Sequence, residues 1–162
     1  MPEQNENQAA ENNQQQPIFR MLKMYLKDLS FESPHAPQVF INPKHEPRVD
    51  FDLKLRHQNI EGENYEVSLG VTAKVLDKAD SDKALFIIEI EHAALFQLRG
   101  IPEEHIERVL SVDAPFMLFP FTRQLISQVS LDGGFMPLLM EPVNFVAMYD
   151  QMQKQRQEQK KD

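Results

Sequence analysis

Few side chains in this sequence are able to do chemistry, and their spacing keeps them apart. Glu89, Glu91 and His92 are close neighbours, but alternate residues of an extended run face opposite ways, so the two carboxylates share one side and the imidazole takes the other. Glu103, His105 and Glu107 resemble a metal-ligand set. At helical spacing, however, Glu103 and Glu107 share a face while His105 points elsewhere, which reads as a solvated helix surface. Asp50 and Asp52 are paired carboxylates on the polar side of another extended run. No serine sits in a G-x-S-x-G elbow, and the five glycines form no loop able to cradle a phosphate. Cysteine is absent, which removes disulfides, thiolate nucleophiles and sulfur-ligated metals. The residues call for no catalytic group, no metal and no cofactor, and binding is the activity left to them.

The charge balance narrows what is bound. Seventeen Lys and Arg face 25 Asp and Glu, a net charge of −8. Non-specific nucleic-acid affinity comes from basic groups neutralising phosphates, so nucleic acid is not an expected partner. A basic partner is, because opposite charges speed encounter. Membrane insertion is not expected, since no run approaches the roughly 20 apolar residues that span a bilayer. Met1–Gln16 has neither a basic start nor an apolar stretch, and with the missing cysteines this predicts a reducing, cytoplasmic setting.

The elements that would position binding groups can be read from the hydrophobic pattern. Residues 1–16 are dominated by Gln, Asn and Glu and cannot offset the entropy of ordering, so they are expected to be a disordered tail. The polar, basic stretch 153–162 is expected to be a second one, leaving a folded domain over 17–152. Four extended segments come first. Phe19–Phe31 is apolar in both alternate registers (Phe19, Met21, Tyr25 against Leu22, Met24, Leu26), as for a strand covered on both faces. Arg48–Arg56 and Tyr65–Val75 alternate cleanly, and Leu85–Leu98 is rich in Ile and Phe. Short turns around Gly62 and Asp77–Lys83 favour antiparallel pairing. Helical spacing then runs from Pro102 to Asp132, interrupted by Pro115 and Pro120, which predicts one long bent helix or two abutting ones. A last helix is expected after Pro142, with Phe145, Met148, Tyr149 and Met152 on one face. The fold class is therefore α+β: a four-stranded antiparallel sheet followed by a long kinked helix and a C-terminal helix.

This inventory holds more apolar surface than one small domain encloses. Phe116, Met117, Leu118, Phe119 and Phe121 point all around the helix axis, and such a helix must be buried on most sides. Self-association with closed symmetry is the expected solution. Eight Met and 11 Phe without any Trp also make an adaptable, unselective apolar set.

Two long segments resemble the SecB family of export chaperones. FRMLKMYLKDLSFESPHAP (Phe19–Pro37) is similar to that family's opening strand and loop, notably at Tyr25, Lys27-Asp28, Ser30-Phe31-Glu32 and Ala36-Pro37. APFMLFPFTRQLISQVSLDGGFMPLLMEPVNF (Ala114–Phe145) is similar to its long helix and the segment after it. With the matching strand order, the likeness spans about residues 19–150. It implies a homotetramer, a dimer of dimers, that needs no ATP, binds unfolded precursor proteins and delivers them to the SecA motor. The resemblance places a client groove at Tyr25, Phe31, Val39, Phe40, Met148 and Tyr149. It matches Asp28, Glu32, Ile87 and Glu89 to the face that receives the basic, zinc-containing C-terminal segment of SecA, the zinc belonging to that partner. The basic stretch Lys154–Lys161 offers a second contact. Where many relatives carry a Trp in the loop after the first strand, this chain has His45. A chaperone of this type with a specialised, for example antitoxin-linked, client and an interaction subunit of a fixed complex are the alternative readings.

Overall fold

The computed structural model describes residues 16–42 and 44–161, so the tail expected over 1–16 lies outside the described residues except for Gln16. Strand β1 (Ile18–Glu32) is followed by a single helical turn, α1 (Gln38–Ile41), and then by β2 (Pro47–Glu61), β3 (Asn64–Asp77) and β4 (Asp80–Arg99). All pairings are antiparallel, in the order β1-β4-β3-β2, with β3 and β4 central. The turn between β2 and β3 needs a left-handed residue and has one in Gly62, at φ +56°.

Alternation and register together sort the side chains onto two faces. Val67, Leu69, Val71, Ala73 and Val75 of β3 pair with Ala94, His92, Ile90, Ile88 and Phe86 of β4. All ten are buried and form the packed face. The other face carries Glu66, Ser68, Thr72 and Lys74 beside Ile87, Glu89, Glu91 and Gln97, with Asp50, Asp52, Lys54 and Arg56 of β2 alongside.

Strand β1 departs from the expected pattern. Its pairing with β4 slips between Met21 and Lys23 and again between Leu26 and Asp28. Each bulge inserts a residue and resets which side chains face inward. Phe19, Met21, Met24 and Phe31 pack against the core, Tyr25 turns to the polar face, and Leu22, Leu26 and Leu29 remain more than 40% exposed. Within the single chain this is an edge strand whose apolar residues are divided by two bulges, and the second cover expected for it is not supplied by the chain itself.

The long helix is continuous but not uniform. It comprises α2 (Glu103–Arg108), a π segment (Val109–Asp113) and α3 (Ala114–Asp132). Pro115 has no N–H to give the Ser111 carbonyl that an α-helix would pair with it. The wider π turn comes immediately before that gap, with the Ala114 N–H donating to the Val109 carbonyl. The last helix, α4 (Phe145–Gln159), starts where the Asn144 side chain accepts the Ala147 N–H at 3.0 Å. It continues well past the boundary expected at residue 152. Residues 153–159 are helical rather than a tail, and an ion pair between Arg156 and Glu107 ties this stretch to α2. Among the described residues no helix is long and apolar enough to cross a membrane.

Candidate binding surfaces

Asp28, Glu32, Ile87 and Glu89 come together on the polar face. Glu32 pairs with Ile87, Ser30 with Glu89 and Asp28 with Glu91, so the four lie side by side on two adjacent strands. Asp28, Glu32 and Glu89 are exposed, and Ile87 is half-buried between them. Glu91 joins this group by register, a neighbour that the sequence likeness did not include.

The six residues expected to form one groove fall into two regions. Phe31, Val39 and Phe40 belong to an aromatic cluster where β1, α1 and the end of α3 meet. Phe135 is its hub: its ring centroid lies 4.5 Å from Phe86, 5.1 Å from Phe40 and 6.4 Å from Phe31, and Phe31 stacks on Phe86 at 5.8 Å. A Cβ on Gly133 would overlap the Phe31 ring, so only glycine permits this approach, and the φ of +88° at Gly134 carries the chain on past Phe40. Val39 is the buried residue of α1, while Phe40 is 46% exposed, which leaves the cluster accessible at its margin. Phe86 was not singled out from the sequence, because an apolar strand marks it only as core, and Phe135, which the family likeness includes, was not assigned to the groove.

Tyr25, Met148 and Tyr149 lie elsewhere, around a cavity of about 730 Å³ at the β2 edge. Leu55, His57 and Gln58 of β2, Ser111 of the π segment and Met148, Tyr149, Met152 and Arg156 of α4 line it, with Lys27, Glu66 and Glu91 among the residues that complete it. Tyr25 reaches it through Glu66, its hydroxyl donating to the carboxylate at 2.5 Å. Lys27 donates to the same carboxylate at 3.0 Å and Gln58 at 3.2 Å. The Tyr25 bond, ahead of those from Lys27 and Gln58, holds the Glu66 carboxyl below the usual range. Burial, followed by the Glu66 contact, pushes the Tyr25 phenol up to about 12. Glu66 therefore stays ionised with its charge compensated by Lys27, while Asp28, Glu32, Glu89 and Glu91 form an acidic group on β1 and β4 of the same face.

His92, set apart from the carboxylates by alternation, is indeed buried on the packed face, with Nδ1 2.8 Å from the Thr122 hydroxyl of α3. Burial pushes its pKa down. Among the described residues no three His, Asp or Glu side chains gather as metal ligands.

Known proteins place the chain. Residues 12–156 match the family model described as Preprotein translocase subunit SecB. The chain is 56% identical over 159 residues to the protein-export protein SecB of Desulfotalea psychrophila, covering 98% of each. It is 44% identical over 140 residues to that of Magnetococcus marinus, covering 86% of this chain and 87% of the relative. Its fold resembles that of Mycobacterium tuberculosis Rv1957, a SecB-like chaperone solved with a ChAD peptide from the Rv1956 HigA1 antitoxin. The TM-score is 0.65 and the identity 16%, over 78% of this chain and 91% of that one. The chain belongs to the SecB family of preprotein translocase subunits.

Proposed function

We propose that the protein is an ATP-independent chaperone of the cytoplasm that binds non-native precursor proteins, keeps them competent for translocation and delivers them to the SecA motor. The observation that carries this reading is the gathering of Asp28, Glu32, Ile87 and Glu89, with Glu91, on one polar face. An acidic patch around one half-buried apolar group is suited to a basic segment with an apolar anchor. Single surface pairs contribute only about 0–1 kcal/mol, so a cluster is required, and the affinity should fall with salt. The aromatic cluster and the β2-edge cavity are the client surfaces of this reading. Each apolar side chain buried there returns about 1.5–3 kcal/mol. Fixing a client residue costs about 1–2 kcal/mol of backbone freedom. Holding therefore needs several anchors and tolerates loosely ordered clients. The names of the relatives favour export over an antitoxin-linked client, since the proteins matching at 56% and 44% identity are protein-export proteins and the antitoxin-linked one shares 16%.

The working form of this reading is a homotetramer, a dimer of dimers. Leu22, Leu26 and Leu29 on the β1 edge and Phe116, Met117 and Phe121 on α3 are exposed in the single chain. The Arg123 Nε is buried without a partner among the described residues, a donor that a second copy would satisfy. Sedimentation should find the tetramer at low micromolar concentration, and a stable monomer there overturns this part.

The deciding experiment uses Glu89→Lys. Affinity for SecA, measured by calorimetry at two salt concentrations, should fall, while suppression of aggregation of several unrelated unfolded precursors stays intact. Equal SecA affinity removes the polar face from the mechanism. Suppression limited to one folded partner removes the chaperone reading in favour of a fixed complex.

A further inference from the structure

The cavity at the β2 edge holds two thioethers. Met148 and Met152 stand one turn apart on α4, and both line it beside Leu55 of β2. Cysteine is absent, so no thiol of this chain competes with Met for a two-electron oxidant. The other described methionines are placed differently. Met140 is 4% exposed in the core, and Met21 and Met24 pack against that core. Met117 belongs to the apolar side of α3 that self-association would cover, and Met136 is 85% exposed in the loop that follows α3. Met148, at 37%, and the half-buried Met152 combine access from solvent with a place in a cavity wall.

That wall is also rich in hydrogen-bond donors. A sulfoxide oxygen is a polar acceptor, and in an apolar core it would be stranded without a partner. Here Met148, Met152 and Arg156 form one row at four-residue spacing, so a guanidinium follows Met152 by a single turn. Arg156 uses Nη1 on Glu107, and a guanidinium carries five N–H groups, so donors remain. The Ser111 hydroxyl and His57 Nε2, 3.4 Å apart, line the same cavity. Lys27, another lining residue, gives Glu66 one of its three N–H groups. An oxygen added to either sulfur meets donors rather than hydrocarbon.

We propose that Met148 and Met152 form a reversible oxidation site for peroxides, in which the thioethers become sulfoxides that the cavity accepts without losing the fold. A sulfur lone pair takes one oxygen of hydrogen peroxide, the O–O bond breaks, and the other oxygen leaves with both protons as water. The sulfur gives up two electrons and the peroxide gains them. Methionine sulfoxide reductases, one for each sulfoxide epimer, reverse the change. Oxidation exchanges two adaptable apolar anchors for polar groups, which weakens the hold on apolar client segments. That consequence rests on reading the cavity as a client surface.

The test treats the full chain with hydrogen peroxide and follows each methionine by mass spectrometry of its peptides. Met136 should react first, Met148 and Met152 well ahead of Met140, and the urea midpoint and helix content should stay native once both α4 residues are oxidised. Reaction no faster than at Met140, or a fall in midpoint as they oxidise, overturns the site. In Arg156→Ala the same oxidation should lower the midpoint, because the donor one turn on is gone. Equal tolerance in that variant overturns the claim that the cavity accepts the oxygen. Client holding is a separate arm, measured after the peroxide is removed. Apparent affinity for unfolded precursors should weaken about tenfold, the loss of one buried apolar anchor, and return on treatment with the two reductases. Met136→Leu should lose holding as the native chain does, and the double variant Met148→Leu, Met152→Leu should hold equally before and after peroxide. A double variant that loses holding like the native chain places the effect elsewhere and overturns the consequence for clients. Unchanged holding with both sulfoxides formed overturns the client reading of the cavity and leaves the oxidation site standing.

Discussion

The aromatic cluster and the β2-edge cavity both draw on β1 and both contain residues expected in a single groove, yet they are held by opposite physics. The cluster is four rings closing on one another with centroids 4.5–6.4 Å apart, and its cohesion comes from burial and shape. The cavity sets the apolar Leu55, Met148 and Met152 beside hydrogen-bonded and charged groups that converge on Glu66 and the ion pair between Arg156 and Glu107. A client groove spanning both would offer anchors at one end and an adjustable polar rim at the other. The cluster should respond to volume and ignore salt, whereas the charged rim of the cavity around Glu66 should respond to salt.

The strongest way to break this contrast is Phe86→Ala. Phe86 is 3% exposed and packs against both the Phe31 and Phe135 rings, so its removal should cost about 3–5 kcal/mol of stability. The loss should appear in urea midpoints equally at low and high salt. A loss that shrinks in salt would mean that the cluster is held electrostatically after all. A smaller effect at the same place is expected from Gly133→Ala. The added methyl overlaps the Phe31 ring and forces it aside, a strain of about 1–3 kcal/mol. The reduced freedom of the unfolded chain offsets part of this. Native stability with Phe31 still seated, judged by ring-to-ring contacts in an NMR spectrum, would show that the packing is looser than the geometry indicates.

The sequence disclosed these two regions unequally. Alternation in β2 and β3 revealed the faces directly, because those strands run without a slip over Arg48–Arg56 and Tyr65–Val75. It misplaced β1, because a bulge is a local register choice made against β4 and leaves no mark in the strand's own composition. Tyr25 therefore read as a companion of Phe19 and Met21, whereas it faces away from them toward Glu66. The prolines announced a bend in the long helix, but not that the backbone would accommodate Pro115 through a π turn. The polar composition of residues 153–159 suggested a tail. Its Gln, Lys, Arg and Glu residues are also good helix formers, and they continue the helix begun at Phe145, with Arg156 pairing to Glu107 on its surface. The acidic patch was legible only through resemblance, since each carboxylate alone looks like ordinary solvated surface. The register then showed that they share a face.

Tyr25→Phe probes the wet side of the comparison with the smallest expected effect. The change removes one hydroxyl and keeps the ring, so the plateau stability near neutral pH should drop by roughly 0.5–1.5 kcal/mol, toward the low end because the site is only partly buried. The pH profile is the sharper readout. In the native chain Glu66 has a lowered pKa, so its contribution is present above the ordinary carboxylate value of 4.5 and is lost as pH falls through the folded value. Tyr25 has a raised pKa, so its contribution is present below 10.0 and is lost as pH rises toward about 12. Tyr25→Phe removes the alkaline arm outright and flattens the acid arm, because the largest influence lowering Glu66 has gone. Urea midpoints across acid, neutral and alkaline buffers should show both changes at once. An alkaline arm that survives the substitution would place that arm on another group and leave the Tyr25–Glu66 bond a minor one. Loss of both arms, beside a Phe86→Ala profile of native shape and lower height, would establish that charge holds one half of the surface and packing the other.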